Sequence, residues 1–428
     1  MMASEKQLVL SSHKMKRLIL ILFLVTVSTA YGRSITVETN GKIQSLKKAV
    51  ELAQPGDTIV VKAGIYREGN IIVEKSLVII GENYPVFDGE NKYEILTVHA
   101  NNVTIKGLKF IKTGVASIQD LAAIKLLDSK YVRILNNRFE ETFFGIHVSN
   151  SSQSWIEDNE LAAYVKAEYQ VGNGIHLWKC DHITIDNNDV TGHRDGIYFE
   201  FVTNSLITNN KSEGNLRYGL HFMFSHNNEY RRNTFVKNGA GVAVMYTTGV
   251  KMIDNTFEEN WGASAYGLLL KDIRDSEVRN NHFLKNSVGI FMEGSSRIRF
   301  TENEFVENGY AVRLQASCDD NTFSRNNFSG NTFDLATNGS LVLNNVDGNY
   351  WDKYEGYDLD KNQVGDIPFH PVSLYSMVVE QMPAAVLLWR SFLVLLIDKA
   401  EKAMPVITPE NLKDNSPLMK PYDLHKRS

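Results

Sequence analysis

The sequence predicts an all-β fold, a right-handed single-stranded parallel β-helix of about 22 residues per coil, with a helical cap at its N-terminal end and a helical extension at its C-terminal end. Two repeating markers and one burial pattern predict it. Asn137, Asn159, Asn188, Asn210, Asn233, Asn255, Asn281, Asn303 and Asn326 recur at steps of 22, 29, 22, 23, 22, 26, 22 and 23. Gly145, Gly174, Gly196, Gly219, Gly241, Gly267 and Gly289 recur at 29, 22, 23, 22, 26 and 22, so both markers carry the same two insertions. Residues one and three after each glycine (Ile146/Val148, Ile175/Leu177, Ile197/Phe199, Leu220/Phe222) are apolar in every coil, as an inward face requires.

The chain opens with a segment that is not part of this repeat. Lys14, Lys16 and Arg17 precede an apolar run from Leu18 to Val27, and small residues follow at Ser28, Thr29 and Ala30. This order predicts a secretory signal over 1–32, cleaved after Ala30 or Gly32, with Met1 or Met15 as the start. The apolar run is too short to span a bilayer. Ile43 to Leu52 then has helical spacing and ends near Pro55-Gly56, which suits a cap over the open edge of the first coil.

The solenoid is expected over 33–345. Between markers the segments are short, alternating and β-branched, which is strand patterning. Equivalent strands then lie about 4.8 Å apart along the axis. An Asn at the same turn of each coil can stack into a ladder, because each amide both donates and accepts. Cys180 and Cys318 fall about six coils apart, roughly 29 Å, too far for a disulfide, which needs Cα atoms within about 7 Å.

The same register predicts an outward wall reading His147, His176, Tyr198, His221 in one column and Ser149, Trp178, Glu200, Met223, Met245 in the next. Such residues are unusual on a merely solvated face. His221 and Met223 sit two apart on one strand and Met245 one coil above, with His176 and His226 as further candidates. Thioether with imidazole suits Cu(I) and not hard cations; packing under a long loop or against a partner protein is the simpler account of the same residues, and sugar contact is a third. A polysaccharide-binding or -modifying β-helix is the alternative. For it, Glu200, Asp195 and His193 form the best cluster, without the matched carboxylate pair that hydrolysis needs.

Composition changes after Asn345. Residues 346–376 read as an aromatic, acidic loop closing the solenoid, in which Asp358, Asp360, Asn362 and Asp366 are spaced like the start of a calcium loop. Gln363 stands where Gly is usual and Phe369 where Glu is usual, so a carboxylate-stabilised turn competes with calcium. Within 377–428, Pro383 to Lys402 reads as one helix, apolar nearly all round, followed by a Pro-rich extended tail. About twelve apolar residues around Arg390 cannot cross a bilayer. Leu388, Trp389, Phe392 and Leu396 are expected either to cap the last coil or to dock on a membrane-embedded partner. The net charge of −5, with dispersed basic residues, excludes a nucleic-acid partner.

The run Asn349-Tyr350-Trp351-Asp352, the segment Gly356-Tyr357-Asp358-Leu359-Asp360 leading to Gly365-Asp366-Ile367-Pro368, the hydrophobic helix and the stretch Asp414-Asn415-Ser416-Pro417-Leu418-Met419 are the telling features. With them the chain resembles the NosD family, exported β-helical maturation factors for nitrous oxide reductase. The resemblance covers nearly the whole mature chain. It implies a periplasmic subunit on an ABC-type complex, with permease and ATPase subunits as partners. It implies copper accepted from a chaperone lipoprotein and help in assembling the copper–sulfide centre of apo nitrous oxide reductase. It further implies a non-enzymatic chain that meets the membrane through its partner. It assigns no ligand residues here.

Overall fold

The computed structural model describes residues 32–424 apart from 117–118, 165–166, 263–264, 340–342 and 404–411. The expected export signal lies almost wholly outside the described residues. Among these residues, three parallel sheets of 14, 13 and 12 strands run the length of the molecule. The first begins at Ser34–Val37, the second at Ile65–Tyr66 and the third at Ile71–Val73. Each strand pairs with its equivalent one coil away, as in Ile175↔Ile197 and Leu220↔Val242. This is the parallel β-helix expected.

Both sequence markers do what their chemistry suggests. Asn255 Nδ2 donates to Asn281 Oδ1 at 3.0 Å and to the Tyr230 carbonyl at 3.0 Å, while Asn255 Oδ1 accepts from the backbone and side-chain nitrogens of Asn233. The pattern repeats from Asn137 to Asn349, all buried. The Phe two residues on stacks with its counterparts: Phe283 and Phe305 have ring centroids 4.9 Å apart at 6°. Gly219 allows the close approach that a side chain forbids, since a Cβ there would lie 2.7 Å from the Gly241 carbonyl oxygen.

The cap helix spans Leu46–Leu52 and buries Leu46, Ala49 and Val50. Ser45 caps it by accepting from the Lys48 N–H, and Glu68 accepts from the N–H groups of Leu46 and Lys47. Those donors have no partner inside the helix, and a carboxylate suits the positive end of its dipole.

The C-terminal end departs from expectation in three ways. The solenoid runs past 345, with last strands at Asn345–Val346 and Tyr350–Trp351. A helix over Leu374–Gln381, capped by Ser373, precedes the expected one. The single helix expected over Pro383–Lys402 is instead a 3-10 segment, Pro383–Leu388, and a helix, Phe392–Ala403. Arg390 at φ 65° turns the chain between them, and Ser391 Oγ accepts from Val394 N–H to start the second. Among the described residues, no helix is long and apolar enough to cross a membrane.

Cys180 and Cys318 are free and buried. They point inward at the corner where other coils place Ser151, Ser225 or Ser295, and the Cys318 sulfur accepts from Ser295 N–H. Burial pushes the Cys180 thiol up to about 12 and the Cys318 thiol up to about 11. Both stay protonated and face the core, which leaves thioether sulfur as the soft donor at the surface.

Candidate functional site

The third sheet carries the wall. Its pairings place His147, His176, Tyr198 and His221 in one column, and Ser149, Trp178, Glu200, Met223, Met245 and Lys271 in the neighbouring one. Met223 and Met245 are direct lateral neighbours. His221 lies two residues before Met223 on the strand Tyr218–Met223, about 7 Å away along the backbone.

The first column is a continuous stack. His147 and His176 rings lie 4.7 Å apart at 12°, His176 and Tyr198 4.7 Å apart at 26°, and Tyr198 meets His221 edge-on at 5.1 Å. Tyr198 also links the columns: its hydroxyl donates to Met223 Sδ at 3.6 Å and to Glu200 at 3.4 Å. Burial, then Glu200 and Asp195, push the Tyr198 phenol up to about 12, so it remains a donor.

The wall divides into covered and open parts. Where the coil step lengthens to 29 residues, the chain places a short 3-10 turn, Glu168–Gln170, before the next strand. Gly172 N–H donates to the Phe143 carbonyl, and Phe144 packs edge-on against the His147 and His176 rings. Asp120 stands 3.6 Å from His147 Nε2, which pulls its carboxyl below the ordinary range. His147 is consequently buried although it points outward. Burial, with His147 beside it, pulls the His176 imidazole down to about 3, so that ring is neutral. Met223 and Met245 stay half-exposed.

His226 lies past the corner at Phe224, exposed, its Nδ1 accepting from Thr248 N–H. His193 is buried at an inward corner position, its backbone N–H bonded to Asn215 Oδ1. Asp195, two residues on, is buried as well, which leaves Glu200 as the half-exposed member of the acid cluster. Among the described residues, no three His, Cys, Asp or Glu side chains converge as a metal site.

Around Asp358 the acidic positions serve the backbone. Asp358 accepts from Asn362 and Gln363 N–H, Asp360 from Asn362 N–H, and Asp366 from Leu359 N–H. The Gln363 φ of 72° completes the turn. At the C-terminal helices Phe333, Tyr375, Val379, Ala385 and Val394 form a small separate core, with Trp389 stacked on Tyr375. Leu388, Phe392 and Leu396 face outward, together with Leu387 at 86% exposure.

Sequence reading passed over a second amide ladder, Asn215, Asn238, Asn260, Asn286, Asn308 and Asn331, each bonded to the next. It stands five residues after each ladder asparagine from Asn210 to Asn326 and keeps the same step, so the signal is present in the sequence.

A family described as "Periplasmic copper-binding protein (NosD)" matches residues 25–173 and 162–356. A "Probable ABC transporter binding protein NosD" from Stutzerimonas stutzeri is 26% identical over 84% of this chain and 86% of its own length. A protein of the same name from Pseudomonas aeruginosa is 29% identical over 26% of each chain. Among solved structures, a DFA-IIIase from Arthrobacter chlorophenolicus without its lid has a TM-score of 0.56 at 14% identity, covering 76% of this chain and 97% of its own. The A-module of an Azotobacter vinelandii mannuronan C-5 epimerase has a TM-score of 0.52 at 15% identity, covering 71% and 92%. These two share the parallel β-helix alone. With the family match spanning most of the coils, the chain belongs to the NosD family of periplasmic proteins.

Proposed function

We propose that this chain is a non-enzymatic accessory subunit of an ABC-type complex that assists maturation of nitrous oxide reductase, and that it carries Cu(I) on the wall at His221, Met223 and Met245. ATP is hydrolysed by a partner subunit. Copper arrives from a chaperone lipoprotein and leaves toward the apo-reductase. The observation that carries this reading is the direct lateral pairing of Met223 with Met245, with His221 on the same strand as Met223.

The chemistry favours a soft monovalent ion. Two thioethers and one imidazole supply soft, uncharged donors, a set suited to Cu(I) and poor for Ca²⁺ or Mg²⁺. Half-exposed methionines allow a cargo ion to be received and released, whereas a closed cage would retain it. The description of the family as copper-binding and the ABC-transporter naming of the relatives support the same reading.

The test is Cu(I) competition against a chromophoric chelator, comparing the full mature chain with Met223→Ala/Met245→Ala. The expected result is loss of at least 10-fold in affinity with unchanged thermal unfolding, and unaltered affinity in the double variant removes the site.

A further inference from the structure

We propose that Asp195 is a positioning residue for His221, holding its imidazole as the Nδ1–H tautomer so that Nε2 is the bare nitrogen. The role in copper binding rests on the function proposed above, whereas the tautomer does not.

The position before each marker glycine forms a column of its own, in which successive coils place Phe144, Asn173, Asp195, Tyr218, Ala240 and Tyr266. Asp195 alone in that set bears a carboxyl group, and it is 1% exposed. Coil architecture does not ask for an acid here, since its neighbours are aromatic, amide or methyl. A buried carboxylate is costly unless it is paired. One of its oxygens, Oδ1, accepts from Tyr218 N–H at 3.3 Å. The other, Oδ2, has no hydrogen bond and lies 3.8 Å from His221 Nδ1.

His221 is the complementary case. It is 5% exposed, and neither ring nitrogen makes a hydrogen bond. Two buried atoms without a hydrogen bond, Asp195 Oδ2 and His221 Nδ1, 3.8 Å apart, are best served by a proton on Nδ1 directed at the carboxylate. A histidine that ligates a metal commonly donates its other N–H to a carboxylate in this way, which fixes the ring and raises its basicity.

The coil below shows the opposite arrangement. Asn173, in the same column as Asp195, places Nδ2 3.0 Å from His176 Nδ1. An amide N–H donating there makes Nδ1 the acceptor and leaves the proton on Nε2. Residues of one column thus set opposite tautomers on two histidines of the next. Of these two, His221 alone presents a free Nε2 lone pair. This selects His221 over His176 as the ligand, a choice the wall's composition leaves open.

Long-range ¹H–¹⁵N correlation NMR on the full mature chain labelled at histidine reads the tautomers without copper. The expected result is Nδ1–H at His221 and Nε2–H at His176, each assigned by its glutamine variant. Asp195→Ala removes the Nδ1–H preference at His221 and weakens Cu(I) binding by about 10- to 100-fold. Asp195→Asn, whose carbonyl oxygen still accepts, preserves the tautomer and restores most of the affinity. It also controls for a folding defect in the alanine variant. Nε2–H at His221 in the unaltered chain overturns the assignment, and so does a tautomer indifferent to Asp195→Ala. If the tautomers hold while Met223→Ala/Met245→Ala leaves Cu(I) affinity intact, the positioning by Asp195 stands and the copper site falls.

Discussion

The carboxylate of Asp414 occupies the rung that would follow Asn349 in the amide ladder. Its Oδ2 accepts from Asn349 N at 2.8 Å, Asn349 Nδ2 at 3.2 Å and Trp351 Nε1 at 2.9 Å. Asn349 itself accepts from Asn326 N and Nδ2 in the same manner, so the ladder continues unbroken into the segment after the helices. Asp414 Oδ1 accepts two more N–H groups, from Gly348 and Ser416. A terminal rung has only donors to satisfy, which is why an acid serves better than another asparagine.

Asp414→Asn tests this closure. Whichever way the new amide turns, its NH₂ meets two or three N–H donors and leaves them without an acceptor. The expected cost is on the order of 3 kcal/mol, confined to the last coils because a solenoid's ends respond locally. Hydrogen exchange should accelerate over 345–372 while the central coils keep their protection. Equal exchange in variant and parent would show that the tail does not seal the ladder.

In mid-ladder the consequence is larger and spreads in both directions. Asn255→Ala strips the acceptor from two Asn233 donors and the donor from the Tyr230 carbonyl, all buried. Leaving buried polar groups unsatisfied costs about 1–3 kcal/mol each, so a loss of about 3–5 kcal/mol is expected in urea unfolding. By contrast Asn209→Gly, one position from the ladder residue Asn210 but exposed, keeps the left-handed φ of 57° without strain and should change stability by less than about 1 kcal/mol.

His193 makes the fold sensitive to acid. It is buried where the next coils place Asn215 and Asn238, and burial pulls its imidazole from an ordinary 6.5 down to about 4. The folded state resists the proton that the unfolded chain accepts. Stability from this group is therefore complete above about pH 6.5 and drains away as pH falls from there through 4. The full loss is on the order of 3 kcal/mol. His193→Asn extends the second ladder by one rung, since its amide can donate to Asn215 Oδ1, and removes the titrating group. Urea midpoints at pH 7 and pH 4.5 should converge relative to the parent, and an unchanged difference would place the acid sensitivity elsewhere.

The coils were legible because two residue types recur for two separate physical reasons, and their shared step fixes the register of everything between them. Register alone then brought Met223 beside Met245 and His147 above the core, and the pairings agree. What covers the wall was not legible. The 29-residue step announces extra chain without giving its direction, so the burial of His147 could not be read from an outward position. Asp414 lies 65 residues beyond Asn349 and carries no periodic marker. The break at Arg390 was hidden in an apolar run, although Ser391, its cap, was there to be read.

The helix Phe392–Ala403 buries one residue in the C-terminal core and leaves apolar neighbours exposed. Val394 turns into the small core with Phe333 and Tyr375, while Phe392 is 75% exposed and Leu396 48% exposed. These two stand four residues apart and so share one face, and Leu387, Leu388, Leu393 and Leu395 nearby in sequence are exposed as well. Exposed apolar side chains grouped on one helix suit an interaction surface, and under the proposed function this one meets the permease. Phe392→Ser/Leu396→Ser removes apolar area without touching the buried Val394, so thermal unfolding should shift by less than about 2 °C. Recovery of the permease and ATPase with the tagged chain should fall at least 10-fold, while Cu(I) affinity at the distant wall is unchanged. Undiminished recovery would mean that the face is not the docking surface, and that the chain is held to its complex through another part of the solenoid.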